Sequence, residues 1–403
     1  MGVSTLMSLA VRTMNAHEAA LQGTVHNIAN AHVAGYSRQQ AEFATATGQF
    51  TGQGFFGRGV DVSTISRLHN SFLTREATSA RSAASMDQTR LHQLTLLERI
   101  FPLGESGIGH ATQQFLGAMS DLAARPGDMS SRQVVLARAQ ELASRFTAAR
   151  SQIESLQAGV KEDLAVTVAQ INTLTRGIAD INDKIAQVTG SGQPPNDMLD
   201  QRDRMIAELA DLVPVTTLMA EDGTVGVFAA GGQQLVLGQR AQMLQVVPDE
   251  RDPTRAAVAS VDNGQLRVLS PTSLGGGRIM GLLNFQNKDL VDARNALGQM
   301  AAAIAGAVNA QPRLGMNLHE PAGSVPPIDI FTVGAPRIVP AAGNAKGPGG
   351  IPVGSVALTV TNASELRASD YELRADQSGV PGSWQLTKLS DGQVRKDIKS
   401  DVV

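Results

Sequence analysis

The chain has 403 residues, 42% of them apolar, and a formal charge of -3 from 34 Lys plus Arg against 37 Asp plus Glu, which allows about two to four packed domains and gives no electrostatic case for nucleic acid as a partner. Cysteine is absent, which excludes disulfides, thiolate nucleophiles and Cys-based metal or iron-sulfur sites. Aromatic residues are 3% of the chain and no apolar run approaches the roughly 20 residues that cross a bilayer, so helices packed through small aliphatic side chains are expected and a membrane is not.

The N-terminus has no basic region ahead of a continuous apolar core, so a cleaved secretory signal is not predicted and any export uses another route. From Met7, apolar or near-apolar positions recur in steps of four and three: Met7, Val11, Met14, Glu18, Leu21, Val25, Ile28 and His32. That is a coiled-coil seam, with Ala10, Ala20 and Ala29 beside it, where a partner helix comes close. A core helix of one compact domain is the blander reading; the narrow stripe favours a seam between chains. Leu21, Val25, Ile28 and Val33 are the candidate seam residues. Asn27, Asn30, Tyr36 and Arg38 are the candidates that fix the turn after it, using polar side chains where the helix leaves main-chain groups unpaired.

Gly35 ends this segment, and the turn-rich stretch Gly48 to Gly59 precedes a strand-like run at 60–65, predicting an extended hairpin. Gly52 to Gly57 formally matches GxGxxG, the dinucleotide-binding fingerprint. The strand-to-helix context is wrong, so a turn is the reading and a dinucleotide-binding enzyme the remote alternative. A second long helix follows from Leu73, with a diluted heptad through Ala77, Ala80, Ala84, Asp87, Leu91, Leu94, Glu98 and Phe101. A shorter helix covers about Gln113 to Ala124 and stops at Pro126-Gly127.

Ser130 with Gln133 reads as a capping box that opens the longest helix, from Ser131 to Val188. Its stripe is Val135, Ala139, Leu142, Phe146, Ala149, Ile153, Leu156, Val160, Leu164, Thr167, Ile171, Leu174, Ile178, Ile181, Ile185 and Val188, with one stutter at Leu156, Val160 and Leu164. At 1.5 Å per residue such a helix is roughly 87 Å long, a rod rather than a pocket. After the break at 190–195, Asn196 is read as the cap of a helix bearing Leu199, Met205, Ile206, Leu209 and Leu212. Period-two alternation then predicts a small antiparallel meander, with Asp222-Gly223 as a two-residue hairpin turn and Asn263-Gly264 as another. A helix from about Asp289 to Asn309 follows.

Beyond Pro312 the composition shifts to Pro, Gly and Val. Strands are predicted at Val356–Val360, Tyr371–Ala375 and Trp384–Leu389. The fold class is α+β and multidomain: a long α-helical coiled-coil or bundle region, small antiparallel β elements and a separate β-rich outer domain. The expected parts are 1–72 (coiled-coil helix and extended hairpin), 73–320 (long-helix bundle with the meander inserted) and 321–403 (β-rich outer domain, incomplete at its end). The histidines at 17, 26, 32, 69, 92, 110 and 319 never take HExxH or comparable ligand spacing, so no metal or cofactor is expected. Asp200, Arg202 and Asp203 read as helix caps and bridges rather than a catalytic pair, and no nucleophile elbow or P-loop offers another route to chemistry.

Asn15-Ala16, Ala19-Ala20-Leu21, His26-Asn27-Ile28-Ala29-Asn30-Ala31, Gly35-Tyr36-Ser37-Arg38-Gln39 and Gly57-Arg58-Gly59-Val60, with Arg67, Phe72 and Leu73, follow one another in an order that resembles the rod, hook and hook-associated family of flagellar axial proteins. Pro195 to Asp203 after a long helix, Leu282-Leu283-Asn284-Phe285, Leu297-Gly298-Gln299, Asn309-Ala310-Gln311 and Ala368-Ser369-Asp370-Tyr371 narrow the resemblance to the branch that joins hook to filament. The resemblance implies a non-enzymatic structural subunit, secreted unfolded through the type III apparatus with help from an export chaperone. It implies folding at the growing tip, outside the cell, and self-assembly into a ring between hook and filament, against the hook protein and the second junction protein or filament. It also implies a C-terminal helix paired with the N-terminal seam; none follows Val403, so a fragment is expected. A needle-tip or effector-like protein of a virulence type III system is the alternative with long helices and no cysteine.

Overall fold

In the computed structural model, residues 3–50, 54–189, 193–262, 264–315, 328–350, 353, 356–358, 360, 362–376 and 383–399 are described. The chain begins with α1 (Val3–Ala29), β1 (Gln39–Thr45), the short β2 (Gln49–Phe50) and β3 (Phe55–Phe56), and β4 (Val60–Arg67). Strands β1 and β4 pair antiparallel from Gln39 opposite Arg67 to Thr45 opposite Val60, with an irregularity after Glu42. The extended hairpin therefore opens earlier than the Gly-rich stretch suggests. Four helices follow: α2 (Ser71–Glu98), α3 (Ile108–Ala124), α4 (Met129–Thr189) and α5 (Asn196–Leu212).

Helix α4 follows its sequence pattern closely. Of the stripe set by periodicity, Val135, Ala139, Leu142, Ala149, Ile153, Val160, Leu164, Thr167, Ile171, Ile178, Ile181 and Ile185 are buried, Phe146, Leu156 and Leu174 are half-buried, and Val188 near the end is exposed. Its start differs from expectation. Asp128, not a Ser130–Gln133 box, caps it: the main-chain N–H groups of Ser130 and Ser131 donate to the Asp128 carboxylate at 3.1 and 3.2 Å, and the Ser131 hydroxyl donates at 2.7 Å. An ionised acceptor two residues earlier meets the same orphan donors and favours the helix N-terminus electrostatically.

Helix α2 corrects its own stripe. Leu73, Ala77, Ala80, Ala84, Asp87 and Leu91 are exposed, while the polar or small Thr78, Ser82 and Gln93 are buried along with Leu97. Thr78 satisfies its hydroxyl on the Thr74 carbonyl at 2.6 Å and Gln93 donates to Asp163 at 3.0 Å, whereas Gln93 Oε1 and the Ser82 hydroxyl are buried without a hydrogen-bond partner among the described residues.

The middle of the chain adds β5 (Val215–Met219), β6 (Val225–Ala229), β7 (Gln234–Leu237), β8 (Arg240–Ala241), β9 (Met243–Pro248), β10 (Ala256–Asp262) and β11 (Gln265–Val268). They form two antiparallel sheets in the orders β5-β6-β7-β8 and β11-β10-β9. The β5–β6 turn is not the two-residue loop expected from Asp222-Gly223. Ala220 N–H donates to Thr224 O at 2.9 Å, leaving Glu221, Asp222 and Gly223 as the loop, with Gly223 left-handed at φ 80°. The Asp222 carboxylate accepts from Thr224 N–H at 2.9 Å, so it shapes the turn from inside. Between β10 and β11, Asp262 opposes Gln265, as a two-residue loop requires; Asn263 lies outside the described residues.

Helices α6 (Pro271–Leu274), α7 (Gly277–Asn284) and α8 (Leu290–Ala310) come next, with a π turn at Phe285–Asp289 joining the last two. The final sheet is β12 (Tyr371–Ala375), β13 (Ser383–Lys388) and β14 (Val394–Lys399), in that order. Residues 356–358 and 360 are irregular, not the strand expected there, and Thr359 lies outside the described residues. An alternating run becomes a strand only where a neighbour supplies a ladder, which the Lys- and Arg-bearing β14 receives from β13.

The chain divides into two compact units, each built from separate segments: 1–88, 164–247 and 258–281 in the first, and 89–163, 248–257 and 282–403 in the second. In the second, Ala111, Phe115, Ala118, Val135, Ala139 and Leu142 form a core joined by Ile304, Val308, Ile330 and Phe331, with Phe115 and Phe331 edge to face at 5.4 Å between ring centres.

Asp370, just before β12, is the polar anchor of the second unit. Its carboxylate accepts from Asn295 Nδ2 at 2.9 Å and from Arg294 at 3.3 Å on α8, and it is held by Arg255, which also pairs with Asp252 at 3.1 Å. Burial pushes this carboxyl's pKa up, but the Asn295 hydrogen bond and the two guanidinium groups outweigh it and hold the value below the ordinary one. A depressed pKa means that the stabilisation is complete above the unfolded Asp value of about 3.9 and is lost as pH falls through the folded value. The stability gap between the parent and Asp370→Asn, read from the fluorescence of the single Trp384, should be full at about pH 6 and narrow below about pH 4. An equal gap at both ends would contradict this.

Candidate functional site

Helix α1 packs against β1 and β4 through a stripe of mainly small or short side chains: Leu9, Thr13, Ala16, Ala20, Gly23 and Asn27 are all at least half-buried. The seam residues lie on the opposite face. Leu21, Val25 and Ile28 are 66%, 65% and 71% exposed, and Met7, Val11, Met14 and Val33 are exposed as well. A shallow groove along this face is lined by Glu18, Leu21, Gln22, Val25, His26 and Ala29. Exposed aliphatic side chains thus run along this face of α1, unlike the face packed on β1 and β4.

The turn residues meet as a set, with one exception. Tyr36 donates its hydroxyl to Asn27 Oδ1 at 2.7 Å, and Asn27 holds Gln39 by both main-chain groups at 2.8 Å each. Burial, then the carboxylates of Asp200 and Asp197, raise the Tyr36 pKa, which keeps the phenol a donor. Asn30 donates to the His26 carbonyl at 3.0 Å at the end of α1, and the His26 ring meets Tyr36 edge-on at 5.5 Å. Arg38 stands apart: its side chain is exposed, and its carbonyl continues the β1–β4 ladder by accepting from Leu68 N–H at 2.8 Å.

What the sequence missed is the other half of this arrangement, on α5. Asp200, 3% exposed, accepts from Ser37 N–H at 2.8 Å and from Arg67 of β4 at 2.9 Å. Arg67 also lies 2.6 Å from Asp203 Oδ2, an ion pair without hydrogen-bond alignment. Asp197 accepts from Gln39 at 3.2 Å, Arg204 donates to Ala34 O at 3.3 Å, and Asn196 donates to Ile65 O at 2.6 Å. Asn196 is therefore not the side-chain cap expected of it, and Asp200 and Asp203 bridge α5 to a strand rather than helix to helix. Gly35 is required in the turn: its φ is 75°, and a Cβ there would fall 2.1 Å from Arg204 Cγ.

Arg202 points elsewhere. It is fully buried, donating to Gly223 O at 2.7 Å and to Asn182 Oδ1 at 3.3 Å. Burial lowers its pKa, opposed by Asp203 and reinforced by Arg67. The spacing of Asp197, Asp200 and Arg204 puts them on one helix face, a signal readable in the sequence. Their partners lie about 160 residues earlier, which no local period encodes.

The GxGxxG match leads from β3 into β4 with no helix after it, so the pyrophosphate cradle is not formed; Gly52 and Gln53 lie outside the described residues. Among the described residues, no group of three or more His, Asp or Glu side chains is placed to hold a metal, and no helix is long and apolar enough to cross a membrane.

The profile of the flagellar hook-associated protein FlgK helical domain matches residues 94–325. Flagellar hook-associated protein 1 of Escherichia coli K12 is 32% identical over 391 residues, which are 96% of this chain and 69% of that protein. The Salmonella typhimurium LT2 protein of the same name is 33% identical over 394 residues, 96% of this chain and 68% of its own length. The solved structure of the flagellar hook junction protein FlgK from Burkholderia pseudomallei superposes with a TM-score of 0.70 at 28% identity, over 82% of this chain and 57% of that one. A profile match across more than half of the residues, joined to relatives at about a third identity along nearly all of them, means that the chain belongs to the flagellar hook-associated protein 1 (FlgK) family.

Proposed function

We propose that this protein is a non-enzymatic structural subunit of the external flagellum, joining hook to filament and assembling with copies of itself after type III export. The observation that carries the reading is the open aliphatic stripe of α1, backed by a rigidly tied hairpin, in a chain of the FlgK family. Leu21, Val25, Ile28 and Val33 are the residues that neighbouring polypeptide covers in the tubular wall. Asn27, Asn30 and Tyr36 hold the stripe at a fixed angle to β1, and Arg38 is free to meet the next subunit. Side-by-side contacts of this heterologous kind propagate around a tube rather than closing a dimer. Hook and filament components are the assembly partners, and an export chaperone is a further one. The virulence needle-tip alternative does not account for the FlgK profile match, and the dinucleotide reading loses its structural context at β3.

Deleting the gene in its own host should leave hooks of normal length without filaments under the electron microscope, restored by the gene in trans. Filaments of normal length after deletion would end the proposal.

A further inference from the structure

Among the described residues, five side-chain amides carried on helices or on the π turn each grip one residue, four of them in strands and one in a bend, by both of its main-chain groups. Asn27 of α1 donates to Gln39 O and accepts from Gln39 N–H, each at 2.8 Å. Asn172 of α4 does the same to Leu244 at 2.8 and 2.9 Å, and Asn182 of α4 to Val225 at 2.9 and 3.1 Å. In the second unit, Gln286 of the π turn holds Ala256 at 2.9 Å both ways, and Asn309 of α8 holds Phe331 at 2.7 and 3.0 Å. All but Asn27 are buried.

A carboxamide presents the same donor and acceptor as a peptide unit, so each pair reproduces the closely spaced double hydrogen bond of an antiparallel ladder. No other side chain does this: a carboxylate lacks the donor, and a hydroxyl has too short a reach for both. The gripped residues also share a position. Gln39 opens β1 of a two-stranded sheet, and Leu244 lies in β9, at the edge of its sheet. Val225 precedes the β6–β7 ladder, which begins at Val227, and Ala256 precedes the β10–β11 ladder, which begins at Ala259. Phe331 belongs to no strand. Each is a place where a main-chain N–H and C=O would otherwise be left without a strand beside them.

We propose that these five amides act as surrogate strands, each closing a main-chain position that no strand reaches, fixing that segment on its helix and, at the four positions in sheets, fixing its register and denying the edge to a second chain. Exposed edges invite pairing between molecules, and a wrong register would turn every side chain of the segment to the other face. A chain without cysteine has no disulfide to fix such segments, and the amides supply a reversible equivalent. The inference does not depend on the flagellar reading.

The test separates donor from acceptor. Asn172→Asp keeps the acceptor for Leu244 N–H and loses the donor to Leu244 O, whereas Asn172→Leu loses both. Hydrogen exchange at single-residue resolution on the full chain should show Leu244 N–H exchanging at least about ten-fold faster, relative to the other β9 amides, in Asn172→Leu. In Asn172→Asp that relative protection should persist, although both variants melt at lower temperature. Equal behaviour of the two variants, or unchanged relative protection in Asn172→Leu, would overturn the proposal. If the Asn172 variants do not fold, the pair Asn309→Asp and Asn309→Leu, read at Phe331 N–H in the other unit, decides it by the same criterion.

Discussion

Asp200→Ala should cost roughly 3 kcal/mol of unfolding free energy, at the low end of the range for breaking a buried ion pair from one side. The reason is that one carboxylate serves two segments. Ser37 N–H loses its acceptor, and the Arg67 guanidinium, itself mostly buried, keeps only Asp203. Asp200→Asn keeps only one of the two acceptor oxygens, since Ser37 N–H uses Oδ2 and Arg67 uses Oδ1, so one donor meets an NH2 group and about 2 kcal/mol is expected there. Urea titration followed by circular dichroism gives the magnitude, and hydrogen exchange over residues 34–39 and β4 gives the location. A change within about 0.5 kcal/mol, the usual range for a surface site, would mean that the tie between α5 and the turn carries little. Uniform loosening of the chain, with no excess at 34–39, would place the role of Asp200 elsewhere.

The combined substitution Leu21→Glu, Val25→Glu and Ile28→Glu should have the opposite profile, leaving the isolated chain intact and abolishing assembly. Each side chain is about two-thirds exposed or more, so removing it takes away little that the folded monomer buries. In a subunit contact each contributes about 1.5 kcal/mol or more by burial, and three together correspond to at least about a thousand-fold in association. Desolvating three carboxylates deepens the loss. Sedimentation velocity and complementation of filament growth measure the assembly, and thermal melting measures the fold. A large fall in melting temperature would show that the stripe is covered within the chain, and normal assembly would place the contact on another surface.

These expectations rest on features of unequal legibility. The stripe of α4 was readable because it is local: sixteen positions at steps of three and four keep one face inward over the helix, and burial follows them almost residue by residue. The same pattern on α1 and α2 predicted helices but could not say what covers their stripes. In α2 the exposed face carries Leu73 and Leu91, and the buried one carries Thr78, Ser82 and Gln93. Sequence periodicity identifies a face, and only the neighbours decide whether that face turns inward. Turn chemistry was legible at Gly35 and Gly223, where a left-handed residue is needed, and less so for loop length at Asp222, where one carboxylate adds a residue to the turn.

The sequence by itself determined the helical framework, the small antiparallel sheets, the aliphatic stripe of α1 and the family to which these belong, because each is written in short-range spacing or in a contiguous motif. The tertiary structure alone decided that residues 164–247 and 258–281 join 1–88 in one unit, that Asp200 reaches Ser37 and Arg67, and that five amides stand in for missing strands. The physical reason is that these partners are separated by up to more than a hundred residues. A carboxylate or an amide carries no mark of which distant N–H it will satisfy until the chain has brought them together.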